Sequence, residues 1–210
     1  MSSETRQTRR YSSALRTRQA AETRARILDA AAESFTTNGY GGTTLAAIAA
    51  LAGVSVETVQ ANGPKRALLE AAFERAFTGD EGRHLIVERE VGKQILTSTD
   101  LDEFLARSIA FVTDANARTV GLWRAFLSAA DSDPSIMAAL DDMYVRRRAD
   151  LQRFVAAMVD LGAPIRDPQR AADVVSFLVS PEGWEQLVIR SGWSREAYVA
   201  WLTSALRAVD

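Results

Sequence analysis

Between Leu45 and Val59 the chain sets small and apolar residues at a spacing that strongly limits its fold. Two short helices that cross steeply need a small residue where their backbones meet, a flexible turn, and apolar anchors from both. Counted from Leu45, Ile48 stands fourth, Ala49 fifth, Ala52 eighth, Gly53 ninth, Val54 tenth and Val59 fifteenth. Ala49 lets the helices approach, Gly53 permits the turn, and Ile48, Val54 and Val59 fill the wedge against a preceding helix. The plain alternative for the same spacing is an alanine-rich hairpin.

The punctuation around this segment is helical throughout. A first helix is predicted over 20–37, with Ile27, Leu28, Ala31 and Phe35 on one face, and Asn38-Gly39 stops it. Thr43 or Thr44 caps a second helix reaching Ala52, and Ser55 caps a third from Val56 to Asn62. Gly63-Pro64 closes the third, the proline suiting the first turn of a fourth helix over 65–77. Past Thr78-Gly79-Asp80 come a weak helix over 87–96, a clear amphipathic one behind Asp100 through Val112, and another over 118–130. The remainder predicts helices over 134–161 behind Asp133, 168–179, 181–189 behind Ser180, and 195–209 behind Ser194. With 36 alanines against 12 glycines and 5 prolines, the fold class is all-α. The expected layout is a basic flexible arm (1–19), an N-terminal three-helix helix-turn-helix domain (20–79) and a larger C-terminal helical bundle (80–210).

Composition narrows the chemistry. At 47% hydrophobic and 25% charged, the 210 residues describe a folded, soluble chain. The absence of cysteine excludes disulfides and thiolate metal sites, and the single His84 excludes a histidine cluster. No Gly-x-Ser-x-Gly elbow or phosphate-cradling glycine loop is present, so we expect no enzyme, no cofactor and no metal. The N-terminus has no continuous apolar stretch, and the longest nearly apolar run, Leu45 to Val54, is far short of a membrane span. The expectation is a cytoplasmic chain with no membrane partner.

The net charge of −2 hides an asymmetry: residues 1–66 carry nine Arg or Lys against five Asp or Glu, and the rest is acidic. A basic front end on an acidic body suits a polyanion partner, although 23 arginines against two lysines is also what coding bias produces. Arg6, Arg9, Arg10, Arg16 and Arg18 of the arm have two readings: a minor-groove tracker, or a solvated tail with only unspecific phosphate attraction.

The first 75 or so residues resemble the DNA-binding domain of tetracycline-repressor-type (TetR-family) transcriptional regulators. The resemblance lies in Ile27-Leu28-Asp29-Ala30-Ala31, Phe35, Gly39-Tyr40, Thr43-Thr44, Ile48-Ala49, Ala52-Gly53-Val54-Ser55, Thr58-Val59 and Lys65-Arg66-Ala67-Leu68-Leu69. It implies a homodimer that sets its third helix in the major groove of a double-stranded DNA operator half-site. By position Ser55, Thr58 and Gln60 would donate to phosphates, helped by the amides at the starts of the second and third helices, with Thr44 at the first of those ends. Lys65 matches the family's lysine and would neutralise a phosphate as a point charge. Base readout falls to Val56, Glu57 and Ala61, with Val56 suited to a thymine methyl and Glu57 to a cytosine amino group. Glu57 reads equally as a solvated surface charge.

One stretch departs from the family's pattern. Gln60-Ala61-Asn62-Gly63-Pro64-Lys65 lacks the usual tyrosine at Gln60 and aromatic at Gly63 and is one residue shorter. That predicts a third helix with a less firmly packed end. The alternative function is therefore a helical ligand-binding or interaction protein of the same fold that has lost sequence-specific DNA binding.

In the body, Phe104, Phe111, Trp123, Phe126, Tyr144, Arg147 and Met158 are candidates to line a pocket for a small, mainly apolar effector, as the resemblance implies; plain core is the other reading. Arg147 or Arg148 interrupts an apolar stripe and must snorkel, pair with Asp114, Asp141 or Asp150, or meet an acidic group of an effector. The last 45 residues carry more apolar surface than one helical face holds. Val175, Leu178, Trp184, Tyr198, Trp201 and Leu202 are the candidates for an isologous dimer interface, or for a thicker monomer core. The expected activity is a repressor released from a palindromic operator when an effector binds.

Overall fold

The computed structural model describes residues 4–82 and 84–210, with side chains from Leu15 onward. The elements in order are α1 (Glu4–Gly42), α2 (Leu45–Ala52), α3 (Val56–Ala61), α4 (Lys65–Thr78), a 3-10 turn (Ile86–Glu88), α5 (Glu90–Leu96), α6 (Leu101–Ala130), α7 (Pro134–Asp160), α8 (Pro168–Leu178), α9 (Pro181–Trp184) continued by a π turn (Glu185–Arg190), and α10 (Arg195–Arg207). The described residues contain no strand, and none of their helices is long and apolar enough to cross a membrane.

The caps hold as the sequence indicates. Thr44 accepts from the Ala47 amide and Ser55 from the Thr58 amide, while Gly53 closes α2 at φ 64°, ψ 41°, left-handed backbone that glycine takes without strain. Asp100, Asp133, Ser180 and Ser194 cap α6, α7, α9 and α10 by the same bond to the chain ahead. Gly39, at φ 67° and ψ 176°, breaks α1 where the sequence stops it.

Four boundaries differ from expectation. The first helix begins at Glu4 instead of near residue 20, and Arg6, Arg9 and Arg10 have side chains outside the described residues. The segment 87–96 splits into a 3-10 turn and α5, because Gly92 lies against the turn so closely that a Cβ would stand 2.0 Å from the Ile86 carbonyl oxygen. The two helices expected over 101–112 and 118–130 are one uninterrupted α6. Its polar middle is employed: Asn116 donates to the Val179 and Ser180 carbonyls, and Arg118 donates to the Ala76 and Phe77 carbonyls at the end of α4. Finally, the helix over 181–189 opens into a π turn, whose wider pitch lets Arg190 reach Glu185 at 2.7 Å.

Two apolar cores hold the molecule. The first joins Ile27, Phe35, Ile48, Val59, Leu68 and Phe73 of α1–α4 to Leu122, Trp123 and Phe126 of α6 and to Ile136 and Leu140 of α7. The second joins Phe104, Ile109, Val155, Met158, Val175, Trp184, Tyr198 and Leu202. Gly121 is the close approach between α1 and α6, since a Cβ there would stand 2.4 Å from Thr36 Cγ2.

Candidate nucleic-acid interface and effector cavity

α3 buries Val59 completely and turns Val56 partly into the first core, which leaves Glu57, Gln60 and Ala61 exposed on its other side. These three stand at the i, i+3, i+4 spacing of one helical face. Thr44 and Ser55 are exposed beside them and Thr58 is partly so. The Ser55 and Thr58 hydroxyls lie 3.1 Å apart and bond each other, and hydrogen bonds from its own amide and from Ser55 hold the Glu57 carboxyl below the usual carboxylate range. Glu57 therefore faces outward as a carboxylate.

Lys65 sits differently from expectation. Its Nζ donates to the Tyr40 and Thr43 carbonyls at 2.8 and 3.0 Å and stands 4.2 Å from the centre of the Tyr40 ring. Most of its donor capacity ties the start of α4 to the turn between α1 and α2.

The end of α3 is held by polar bonds where the sequence lacks an aromatic anchor. Asn62 donates to the Thr58 carbonyl at 2.8 Å, and Arg24 of α1 donates to the Asn62 carbonyl at 2.9 Å. The same guanidinium pairs with Glu81 at 2.7 Å, in the connector that leaves α4. Sequence reasoning missed Arg24, Asn62 and Glu81, whose contacts cross 38 and 57 positions of chain.

Two adjoining cavities of about 100 and 160 Å³ lie in the body, and Phe77, Ile86, Arg147 and Asp150 line both. Of the residues proposed from sequence, Phe104 and Phe111 line the first and Trp123 and Tyr144 the second. Phe126 and Met158 line neither: Phe126 is packed against Phe73 in the first core, and Met158 is buried in the second. The first cavity is walled almost wholly by apolar side chains, among them Phe154, Leu151 and Val175. The second is mixed, with Trp123 donating to Glu182 at 2.8 Å and Arg146 paired with Glu74 at 2.8 Å. Asp150 accepts the amides of Ile86 and Val87, and burial raises its carboxyl above the usual range.

Arg147 makes none of the ion pairs that the sequence suggested for it. Asp114 pairs with Arg195, Asp150 serves the 3-10 turn, and Arg147 instead donates to the Ser176 hydroxyl and carbonyl at 3.2 and 2.9 Å. Arg148 is the neighbour that pairs at the surface, with Asp173.

The second cavity connects to α4 through the connector. Arg89, buried against the second cavity, bonds Asp80, Thr78 and the Gly82 carbonyl, and Glu74 of α4 accepts the Gly82 amide.

Four of the six residues proposed for a dimer interface face inward. Val175, Trp184, Tyr198 and Leu202 belong to the second core, because α8, α9 and α10 turn their apolar faces toward α6 and α7. Leu178 and Trp201 are half-buried, and the exposed apolar side chains of this region are Val174, Ile189 and Phe177, the last 78% exposed.

Residues 27–62 match the family described as bacterial regulatory proteins, tetR family. No curated protein matches the chain. Among solved structures, one described as a TetR-family transcriptional regulator from Rhodococcus sp. is 20% identical, with 90% of this chain and 98% of that one covered and a TM-score of 0.71. A structure described as a transcriptional regulator from Saccharomonospora viridis in complex with choline is 20% identical over 90% and 97%, with a TM-score of 0.68. Another described as a transcriptional regulator, from Pseudomonas aeruginosa PAO1, is 21% identical over 87% and 88%, with a TM-score of 0.66. Residues 27–62 are thus similar to the tetR-family model, and the chain as a whole shares the fold of these solved proteins.

Proposed function

We propose that the chain acts as a homodimeric repressor that binds a palindromic operator through α3 and leaves it when a small effector occupies the body. The observation that carries this reading is the pairing of an outward α3 face, Glu57, Gln60 and Ala61, with cavities whose wall reaches α4 and the connector through Glu74 and Arg89. Gln60 and Glu57 are the base readers in this reading, with Ala61 and Val56 as apolar neighbours for a thymine methyl. Thr44, Ser55 and Thr58 donate to phosphates, and Lys65 positions the turn more than it meets DNA.

Dimerisation rests on the surface of α8 and α10, where Phe177 and Val174 stand exposed and Leu178 lines a groove with Ala205. Two-fold symmetry fixes the separation of the two α3 helices, which must span half-sites about 34–36 Å apart. An effector acts in proportion to its preference for the conformer whose heads no longer match that spacing.

Incubation of the protein with fragmented genomic DNA from its source at about 150 mM salt, where unspecific phosphate attraction is weak, tests the reading. Recovery of a shared palindrome supports it. Recovery of random fragments that wash off as salt rises overturns it and favours a body that binds ligand without choosing a DNA sequence.

A further inference from the structure

The two cavities share one cation, Arg147, that makes no direct ion pair. Among the described residues, Arg147 has no carboxylate within 4.0 Å, its Nε and one terminal nitrogen are spent on Ser176, and its Nη1 has no protein partner. Every other charged group of the second cavity is engaged. Arg146 pairs with Glu74, Arg89 with Asp80, Glu182 accepts from Trp123, and Asp150 accepts two backbone amides. Burial lowers the pKa of Arg147, and the Glu182 and Asp150 carboxylates of the same cavity offset part of that cost from beyond ion-pair distance, while its direct contacts are the neutral oxygens of Ser176.

We propose that the effector is a small organic monoanion, a carboxylic acid with one ring or a short carbon chain, whose carboxylate meets the Arg147 guanidinium while its apolar part enters the chamber of Phe104, Phe111 and Phe154. This rests on the effector reading above and names the chemistry of that site. A guanidinium presents parallel N–H donors that match a carboxylate, and such charge-assisted bonds are the strong ones in a dry site. The size is set by the chambers: about 100 Å³ on the apolar side and 160 Å³ on the mixed side. A cavity of roughly 150 Å³ holds one benzene ring. The Trp123 and Tyr144 rings stand 5.9 Å apart and nearly perpendicular, an aromatic corner that on its own also suits an organic cation. Arg147 and Glu182 line the same chamber; the Glu182 carboxylate already accepts from Trp123, whereas the Arg147 guanidinium keeps a terminal nitrogen without a partner, so the open contact is the one an anion fills.

Calorimetric titration of the full chain with phenylacetate and hexanoate, against phenylacetamide, hexanamide and choline, tests the assignment. At least one acid is expected to bind about tenfold or more tightly than its amide, a difference of one charged contact, and choline more weakly than that acid. Arg147→Gln is expected to bring acid and amide within about threefold of each other, less than half that contact's free energy. Amides that match their acids, choline binding ahead of both, no acid binding at millimolar concentration, or a preference that survives Arg147→Gln would each overturn it. The acid-to-amide ratio on the unaltered protein decides the matter even if the variant does not fold. Operator affinity measured alongside separates the two readings. An acid that binds without weakening operator binding leaves the anion site standing and removes the effector role, whereas release by choline with no acid bound does the reverse.

Discussion

Arg24 of α1 donates to the Asn62 carbonyl at 2.9 Å and is paired with Glu81 at 2.7 Å, so one guanidinium joins the first helix, the end of α3 and the connector to the body. α3 has only six residues and buries Val59 alone, so its orientation depends on what grips its last turn. The missing aromatic is answered by this polar joint.

Replacing Arg24 with Met keeps most of the stem's packing and removes the joint. We expect operator affinity to fall about tenfold, the effect of roughly 1.4 kcal/mol. Because Arg24 and Glu81 are each about a third exposed, the melting temperature should move little, reflecting about 1 kcal/mol or less. Fluorescence anisotropy on the recovered operator and a thermal melt check both halves. A large loss of stability with unchanged affinity would refute the positioning role.

Gln60→Ala and Glu57→Gln alter the exposed α3 face proposed to read bases, without touching the core. Each is expected to cost about 1–3 kcal/mol at one base position and to relax preference there, while affinity for random DNA stays nearly constant for Gln60→Ala. Binding to operators with single substituted positions reads this out.

Gly121→Ala drives a methyl into Thr36 Cγ2, across the contact of α1 with α6. Overpacking of this kind costs about 1–3 kcal/mol. The double variant Thr36→Ala/Gly121→Ala should recover most of it, because the remaining neighbour, Thr36 Cβ, stands 3.3 Å away. Denaturant titration of the two single variants and the double closes the cycle.

Asp150 gives a pH signature. Burial raises its folded-state pKa above the ordinary 3.8, so the folded protein prefers the protonated group. The stability this group provides is complete below 3.8 and is lost as pH rises through the raised folded value. Asp150→Asn keeps an acceptor oxygen for the Ile86 and Val87 amides without the charge. It should melt higher than the parent at pH 7, with the gap closing as pH falls below about 3.8. A gap that persists in acid would contradict this account.

Phe177→Glu tests the association surface. The ring is 78% exposed in the single chain, so the fold loses almost nothing, and a charge in an isologous contact meets its own copy across the two-fold axis. Sedimentation should give a dimer for the parent and a monomer for the variant with an unchanged melt.

Local chemistry was readable from the sequence, and distant pairing was not. Thr44, Ser55, Asp100 and Asp133 each bond an amide two or three residues ahead, so the caps and the wedge of Ile48, Ala49 and Val59 announce themselves by spacing. Thr113, Asn116 and Thr119 interrupt the apolar pattern that would mark α6 as one helix, yet they are buried. Arg24 and Glu81, or Asp150 and Ile86, lie 57 and 64 positions apart, and no periodicity marks such partners. The inward turn of Tyr198 and Leu202 was hidden for a related reason: two apolar faces on one helix do not say which meets its own chain.

The apolar core of α1–α4 is completed by Leu122, Trp123 and Phe126 of α6 and by Leu140 of α7. A graft of residues 1–79 onto the body of another protein of this fold would therefore carry an unfinished interior, with Phe73 deprived of the Trp123 and Phe126 rings. Specificity transplants between such proteins have to exchange the matching turns of the body as well. Substitution at the exposed α3 positions Glu57, Gln60 and Ala61 leaves that seam untouched.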